Sequence, residues 1–325
     1  MSIRASIHDR STRLLTRAGS PVLAILSLIA VGVGTALAQT AAPPTAQPPG
    51  ELETKLNEVV KEFARDPRYK SMTEQQVRDR IEFVAGNVIF ATVHEVGHML
   101  VTEMGLPVLG REEDAVDSFA VLTGLKLAGG LSDRILTQSA RGWFMSDQRN
   151  QKQKVKMVFY DEHGMDKQRA YNIVCLMVGG NPEKFGKLAD MTKLPEERQG
   201  TCQGDYSNAS WSWNKVLEPH IRKADQPKAN IPVTYADTKK YAVYESGFRK
   251  IRLLEVLAEH LSDRFVWPKP ISMVMEECNE PGARWDLSDR KIHVCYELAA
   301  DFGSMYRDFA GAQESQKVSA RKPKR

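Results

Sequence analysis

Residues 87–120 read NVIFATVHEVGHMLVTEMGLPVLGREEDAVDSFA. The run is apolar on both sides of His94-Glu95-Val96-Gly97-His98, with Val88, Ile89, Phe90 and Val93 before it and Met99, Leu100 and Val101 after it. That pattern predicts a buried helix. Positions four apart on a helix lie one turn apart on the same face, so His94 and His98 can direct two imidazoles at one ion. Glu95 stands one position along, close enough to hold a water and take its proton. The spacing is that of a HExxH zinc site.

Two imidazoles leave such a site short of a ligand, because catalytic zinc usually has three protein donors. Beyond Met104 the chain turns through Gly105, Pro107 and Gly110 and enters REEDAVDSFA, residues 111–120. Acids in a first helical turn suit the helix dipole, and Ala115, Val116, Phe119 and Ala120 can form the buried stripe. Glu113 and Asp117 fall on one face. Glu113 is the expected third ligand, and Asp117 the carboxylate that orients a ligand histidine. Glu112 is the rival ligand. The longer metzincin pattern is excluded, since its Gly and His positions hold Val101 and Met104 here.

The same segment, with Leu106 to Ala120, resembles the "putative metallopeptidase" family of exported bacterial proteins. Further similarity lies at YDEHGMD (160–166), QRAYNIVC (168–175) and CYEL (295–298), so the resemblance runs from about Leu52 to Phe302. It implies a zincin-like domain of the glutamate-ligand type and names no substrate. A peptidase also needs a donor for the oxyanion formed when water attacks a carbonyl. His163 and Tyr160 are the candidates, and the resemblance favours His163 as a second catalytic residue beside Glu95. A polar loop or a helix cap is the plain alternative for both, and Asp161 and Glu162 could support the site.

The N-terminus has the form of an export signal. Arg4, Arg10, Arg13 and Arg17 precede a mostly apolar run from Pro21 to Val33, and Ala36-Leu37-Ala38 is a small-x-small box that predicts cleavage after Ala38. An uncleaved anchor is the alternative; with cleavage, no stable membrane span is expected to remain. The whole chain carries 45 Lys+Arg and 41 Asp+Glu, a net charge of +4, but residues 1–38 hold four Arg and one Asp, which leaves the rest at +1. The basic character therefore belongs to the signal and the tail, and nucleic-acid binding is excluded as an expectation. Residues 39–50 (QTAAPPTAQPPG) read as a Pro-rich disordered linker, residues 51–311 as the metallopeptidase-like domain, and residues 312–325 as a basic disordered tail.

Within the domain, helical spacing is clear over Glu51–Arg65 and again over 71–83, with Ser71 or Thr73 as N-cap. No strand pattern precedes the histidine helix, so any sheet must come from later in the chain. A helix over 132–140, an irregular polar stretch over 142–153, helices over 166–178 and 241–260, a less regular stretch over 207–244 and a final helix from Tyr296 complete the reading. Trp211 and Trp213 are expected as packing aromatics, and Glu297 as a buried structural acid. Four cysteines in an exported chain suggest two disulfides. Cys175–Cys202 and Cys278–Cys295 are the expected pairs, the second across a hairpin formed by the alternating runs 271–275 and 292–296. The expected fold is α+β, predominantly α, with a small C-terminal β-hairpin. The expected activity is zinc-dependent hydrolysis of a peptide or protein substrate, in the periplasm or outside the cell. The alternatives are an inactive zincin-like scaffold and a metal-dependent amidase acting on cell wall.

Overall fold

The structure is a computed structural model that describes residues 51–126, 130–156 and 158–320. The expected signal (1–38) and Pro-rich linker (39–50) lie outside the described residues.

One helix organises the rest. α2 spans Glu74–Met104, 31 residues and about 46 Å at 1.5 Å per residue. It starts with a capping box, in which the Thr73 hydroxyl accepts from Gln76 N and the Gln76 side chain accepts from Thr73 N. It ends at Gly105, whose left-handed φ of +60° only glycine adopts at little cost. By length and composition this helix could cross a membrane, but 78% of its most apolar window is buried inside the fold. A helix apolar on all sides is here the centre of a core.

The sequence led to two helices where α2 is one. Gly86 and Asn87 fall at the join, and each serves close packing. A Cβ on Gly86 would stand 3.0 Å from the Ile135 carbonyl of α4 (Gly130–Lys152), and Asn87 Nδ2 donates to Phe83 O and to Gln138 O. The expected irregular stretch after 142 is likewise helical, because Gly142 is the gap that admits the Asn87 side chain: a Cβ there would lie 1.9 Å from Asn87 Oδ1.

Around α2 pack α1 (Glu51–Arg65), α3 (Glu112–Lys126), α4 and α10 (Tyr296–Ala320). α1 has the bounds read from the sequence. α10 runs through the boundary expected at 311, so nine residues assigned to the tail are helical. Behind α3 and α4 lie α5 (Asp166–Gly180), α6 (Pro182–Met191) and α7 (Glu196–Leu217). The Cys175–Cys202 disulfide ties α5 to α7. α8 (Ala242–Ile251) and α9 (Leu253–Arg264) divide the expected 241–260 helix at Arg252, whose φ is +56°.

A four-stranded sheet closes the fold on one side of α2. Its strands β1 (Val233–Tyr235), β2 (Ser272–Glu276), β3 (Ala283–Asp286) and β4 (Lys291–Cys295) lie in the order β1-β2-β4-β3. All follow α7 in sequence, and among the described residues no strand precedes α2. The expected hairpin needs correction in its partners. The runs containing Met273 and Ile292 do pair, but in parallel, with Met273 opposite Ile292 and Met275 opposite Val294. The hairpin is β3–β4, antiparallel, with Trp285 opposite Ile292. Residues 277–282 carry the chain over the end of β4, so β4 returns between β2 and β3. The Cys278–Cys295 disulfide fastens that crossing, and the buried Glu297 carboxylate accepts from the Cys278 and Asn279 N–H groups beside it.

Candidate metal centre

α2 brings His94, Glu95 and His98 to the side of the helix that meets α3 and β3. The approach of α3 is set by Gly97, the fourth residue of the pentad. A Cβ there would lie 2.7 Å from Val116 Cβ, so only glycine lets α3 press against α2 at this turn. That closeness delivers Glu113 to the histidines. Its Oε2 stands 3.0 Å from His94 Nε2 and its Oε1 3.3 Å from His98 Nε2. Donor atoms of His94, His98 and Glu113 all lie within 4.8 Å of one another.

Each imidazole is held from behind. His94 Nδ1 is 2.8 Å from Asp117 Oδ1, and His98 Nδ1 is 2.7 Å from Glu112 Oε1. Glu112, the rival ligand of the sequence reading, thus lies on the far side of His98 from Glu113. Asp117 is buried and accepts a two-pronged bond from Arg169, Nε to Oδ2 and Nη2 to Oδ1 at 2.7 Å each. The guanidinium also lies 3.8 Å over the Trp143 ring. Burial by itself would raise the Asp117 carboxyl, but His94 and Arg169 outweigh it and hold it below the ordinary value.

Because the carboxylates accept, the Nδ1 atoms of both histidines carry the protons. In neutral rings the Nε2 lone pairs then face each other, 3.2 Å apart. Glu113 Oε2 is also 3.0 Å from His163 Nε2. Yet it is a buried oxygen for which neither ring completes a well-aligned hydrogen bond. Two lone pairs and an orphaned carboxylate oxygen converge where only a cation satisfies all three. The titration of the groups says the same. Burial would lower His98, but Glu113 and Glu112 outweigh it and raise the ring to about 9. His94 is raised against its own burial by Asp117 and Glu113, and Glu113 is pulled far below the carboxylate range by the three imidazoles despite burial. Without an ion the pocket draws protons into the place an ion would take.

The family model described as "Putative metallopeptidase" matches residues 55–217 and 234–323, which is most of the chain. The chain belongs to this metallopeptidase family. No curated protein and no solved structure matches it. The family implies a metal ion, and the residues fit one: His94, His98 and Glu113 would hold it.

Of the remaining expected residues, Glu95 is half-buried beside the centre. Its Oε2 accepts from the backbone N–H of Trp285 in β3 at 2.8 Å. Burial raises its carboxyl above the ordinary value, and His94 and the Trp285 N–H offset part of that. His163 sits on the loop before α5, half-exposed, with its own backbone N–H donating to Asp161 Oδ1. Tyr160 projects into solvent, 91% exposed, and makes no contact with the centre. Trp213 packs on Phe119, with Nε1 donating to Ala115 O, whereas Trp211 is exposed. Sequence reasoning missed Arg169 and the Trp285 N–H. Arg169 lies inside the quoted stretch 168–175, but nothing in its spacing ties it to Asp117, 52 residues away. A backbone donor 190 residues from Glu95 leaves no side-chain signal at all.

Proposed function

We propose that the protein is a zinc-dependent peptidase, exported from the cytoplasm, that hydrolyses peptide bonds at the His94–His98–Glu113 centre. The observation that carries this reading is the convergence of two imidazole nitrogens and an orphaned carboxylate oxygen next to a separately held acid, Glu95. Two nitrogens and one carboxylate favour zinc, and their 3.2 Å spacing agrees with the ~3.3 Å between donors of a tetrahedral site with bonds of 2.0–2.1 Å. When bound, zinc polarises a carbonyl and makes a water more acidic. Glu95 takes the proton of the attacking water and returns it to the leaving amine. The Trp285 N–H occupies Glu95 Oε2, which leaves Oε1 to face that water. His163, on the rim, is placed to donate to the oxyanion. β3 is an edge strand of the sheet and runs past Glu95, so an extended peptide added to it would bring its carbonyl to the centre.

Export rests on the signal-like residues 1–38 and agrees with two disulfides, which persist in oxidising compartments. The deciding experiment compares wild type with Glu95→Gln, on a denatured protein and on murein fragments in parallel. Metal content should be equal in both proteins, and proteolysis should fall by about 10²–10⁴-fold in the variant. Equal proteolysis by both removes the assigned base. Metal-dependent cleavage of murein alone moves the reading to an amidase.

A further inference from the structure

Two cavities lie side by side among α2, α3 and α9. One, of about 110 Å³, is walled by apolar side chains such as Ile89, Phe90, Ala120, Leu136 and Leu253. Its buried hydroxyls, Thr92 and Ser139, already donate to carbonyls of their own helices, Val88 O at 2.8 Å and Ile135 O at 2.9 Å. The other, of about 130 Å³, reaches Lys126 and Arg264. Val93, Thr123, Leu257 and His260 line both. Protein interiors leave few voids larger than a water, so an adjoining pair, apolar at one end and basic at the other, calls for an account.

The basic end has no acid of its own. Among the described residues Lys126 and Arg264 make no ion pair. Lys126 Nζ donates to Asn214 Oδ1 at 2.8 Å, and the Arg264 guanidinium lies 5.6 Å from the Phe265 ring centre. Partial burial and then the charge of Arg264 push the Lys126 ammonium below its ordinary value. His260 is lowered by the same two causes, and it is half-buried with no hydrogen bond among the described residues. Asp263 opposes that shift, but it is paired with Lys228 at 2.6 Å. Two cations beside an unbonded imidazole suit an anion. Beyond them the lining is hydrocarbon with its buried hydroxyls used. The amide groups of a peptide would go unpaired there, whereas an alkyl chain would not.

We propose that the two cavities bind a free straight-chain carboxylate of about six to eight carbons: the carboxylate sits between Lys126 and Arg264, and the chain runs past His260 into the apolar chamber. The length follows from the space. An apolar cavity of about 150 Å³ holds a benzene, so about 110 Å³ takes roughly four or five carbons. The rest of the chain lies beside Leu257, and His260, held by no hydrogen bond, turns aside to let it pass. Val93 adjoins His94 on α2, and Ala120 lies on α3, which carries Glu113, so the occupant packs against both helices that bear the metal ligands. The inference does not depend on the peptidase reading, since the metal centre takes no part in it.

The test is isothermal titration of the chain from Gln39 to Arg325, which keeps the whole compact unit from Pro48 onward. The probes are butanoate, hexanoate, octanoate, the neutral 1-octanol and the dipeptide acetyl-Ala-Leu with a free carboxylate. Binding should tighten about four-fold with each methylene from butanoate to octanoate. K126Q/R264Q should weaken octanoate about ten-fold and leave octanol unchanged. Lys126 is exposed and Arg264 half-buried, and unchanged thermal unfolding of the variant is the control for folding. A carboxylate could also seek the metal, so each titration is repeated after a chelator has stripped the protein, and octanoate should bind equally well. No heat up to about 5 mM, where even a millimolar site would fill, overturns the proposal. So does an affinity that ignores chain length, a K126Q/R264Q variant that binds like wild type, or binding that disappears with the metal. Acetyl-Ala-Leu binding more tightly than octanoate would give the site to a peptide end and overturn it as well.

Discussion

Arg169→Met puts the most weight on the support behind the centre. The side chain keeps its length and loses its charge. Asp117, itself buried, then faces His94 alone, having lost both 2.7 Å bonds from the guanidinium. Removing one partner of a buried ion pair costs about 3–5 kcal/mol. Losing the cation over Trp143, 3.8 Å from the ring centre, adds about 1–2 kcal/mol. In a domain of this size the midpoint of thermal unfolding should fall by about 10–20 °C. Metal affinity, measured by competition with a chelator, should fall about 10–100-fold, because Asp117 can then turn and release His94. The pH dependence has a definite sign. The Asp117 carboxyl lies below its ordinary value in the folded protein, so its contribution is complete above the unfolded value of about 3.9 and is lost as pH falls through the folded one. Without Arg169 one of its two restraints is gone, and acid unfolding should begin at a higher pH. The double variant Asp117→Asn/Arg169→Met leaves no orphaned charge, and should be more stable than Arg169→Met. A midpoint within about 2 °C of wild type together with unchanged metal affinity would refute the reasoning, because the pair would then carry neither fold nor site.

Gly97→Ala should cost about 1–3 kcal/mol by overpacking against Val116, and it should weaken metal binding too, since α3 must retreat with Glu113 on it; lost stability with full affinity would show that α3 does not position the ligand. Metal loading should strengthen with rising pH up to about 9, where the metal-free His98 gives up its extra proton. Isothermal titration in buffers of different ionisation enthalpy checks this, and a flat profile between pH 6 and about 9 would mean that the ion does not displace that proton.

The parts of the fold that were legible in the sequence are those where one local rule acted without a competitor. α1 has its read bounds because a single amphipathic stripe meets polar residues at both ends, and Thr73 caps α2 because Gln76 stands at the reciprocal position. The misjudged helix extents fall at glycine and asparagine. At Gly86, Asn87 and Gly142 these residues let α2 and α4 touch, and the reason lies in a partner more than 40 residues away. The parallel pairing of β2 with β4 escaped for a related reason. Alternating runs on two sides of a turn-rich segment suggest a hairpin, and only the short β3 between them shows that the chain must cross before it returns.

The same division runs through the centre. The spacing of His94, His98, Glu113 and Asp117 is helical arithmetic, so it could be written down before any packing was known. What spacing does not contain is the charge arrangement. Glu95, Glu112, Glu113 and Asp117 surround two imidazoles, and among the described residues Arg169 is the one guanidinium bonded to the group. Such an excess of carboxylate is costly to enclose unless positive charge enters. The protein therefore has two ways to settle it. It can take protons onto the rings, as the raised His94 and His98 indicate, or it can take an ion at the one place where both Nε2 atoms and the orphaned Glu113 oxygen meet. The first leaves like charges face to face at 3.2 Å. The second removes that repulsion and satisfies the oxygen as well. The preference for an ion is thus built from the acids around the ligands as much as from the ligands, and Arg169 limits how far that excess can pull Asp117 out of line.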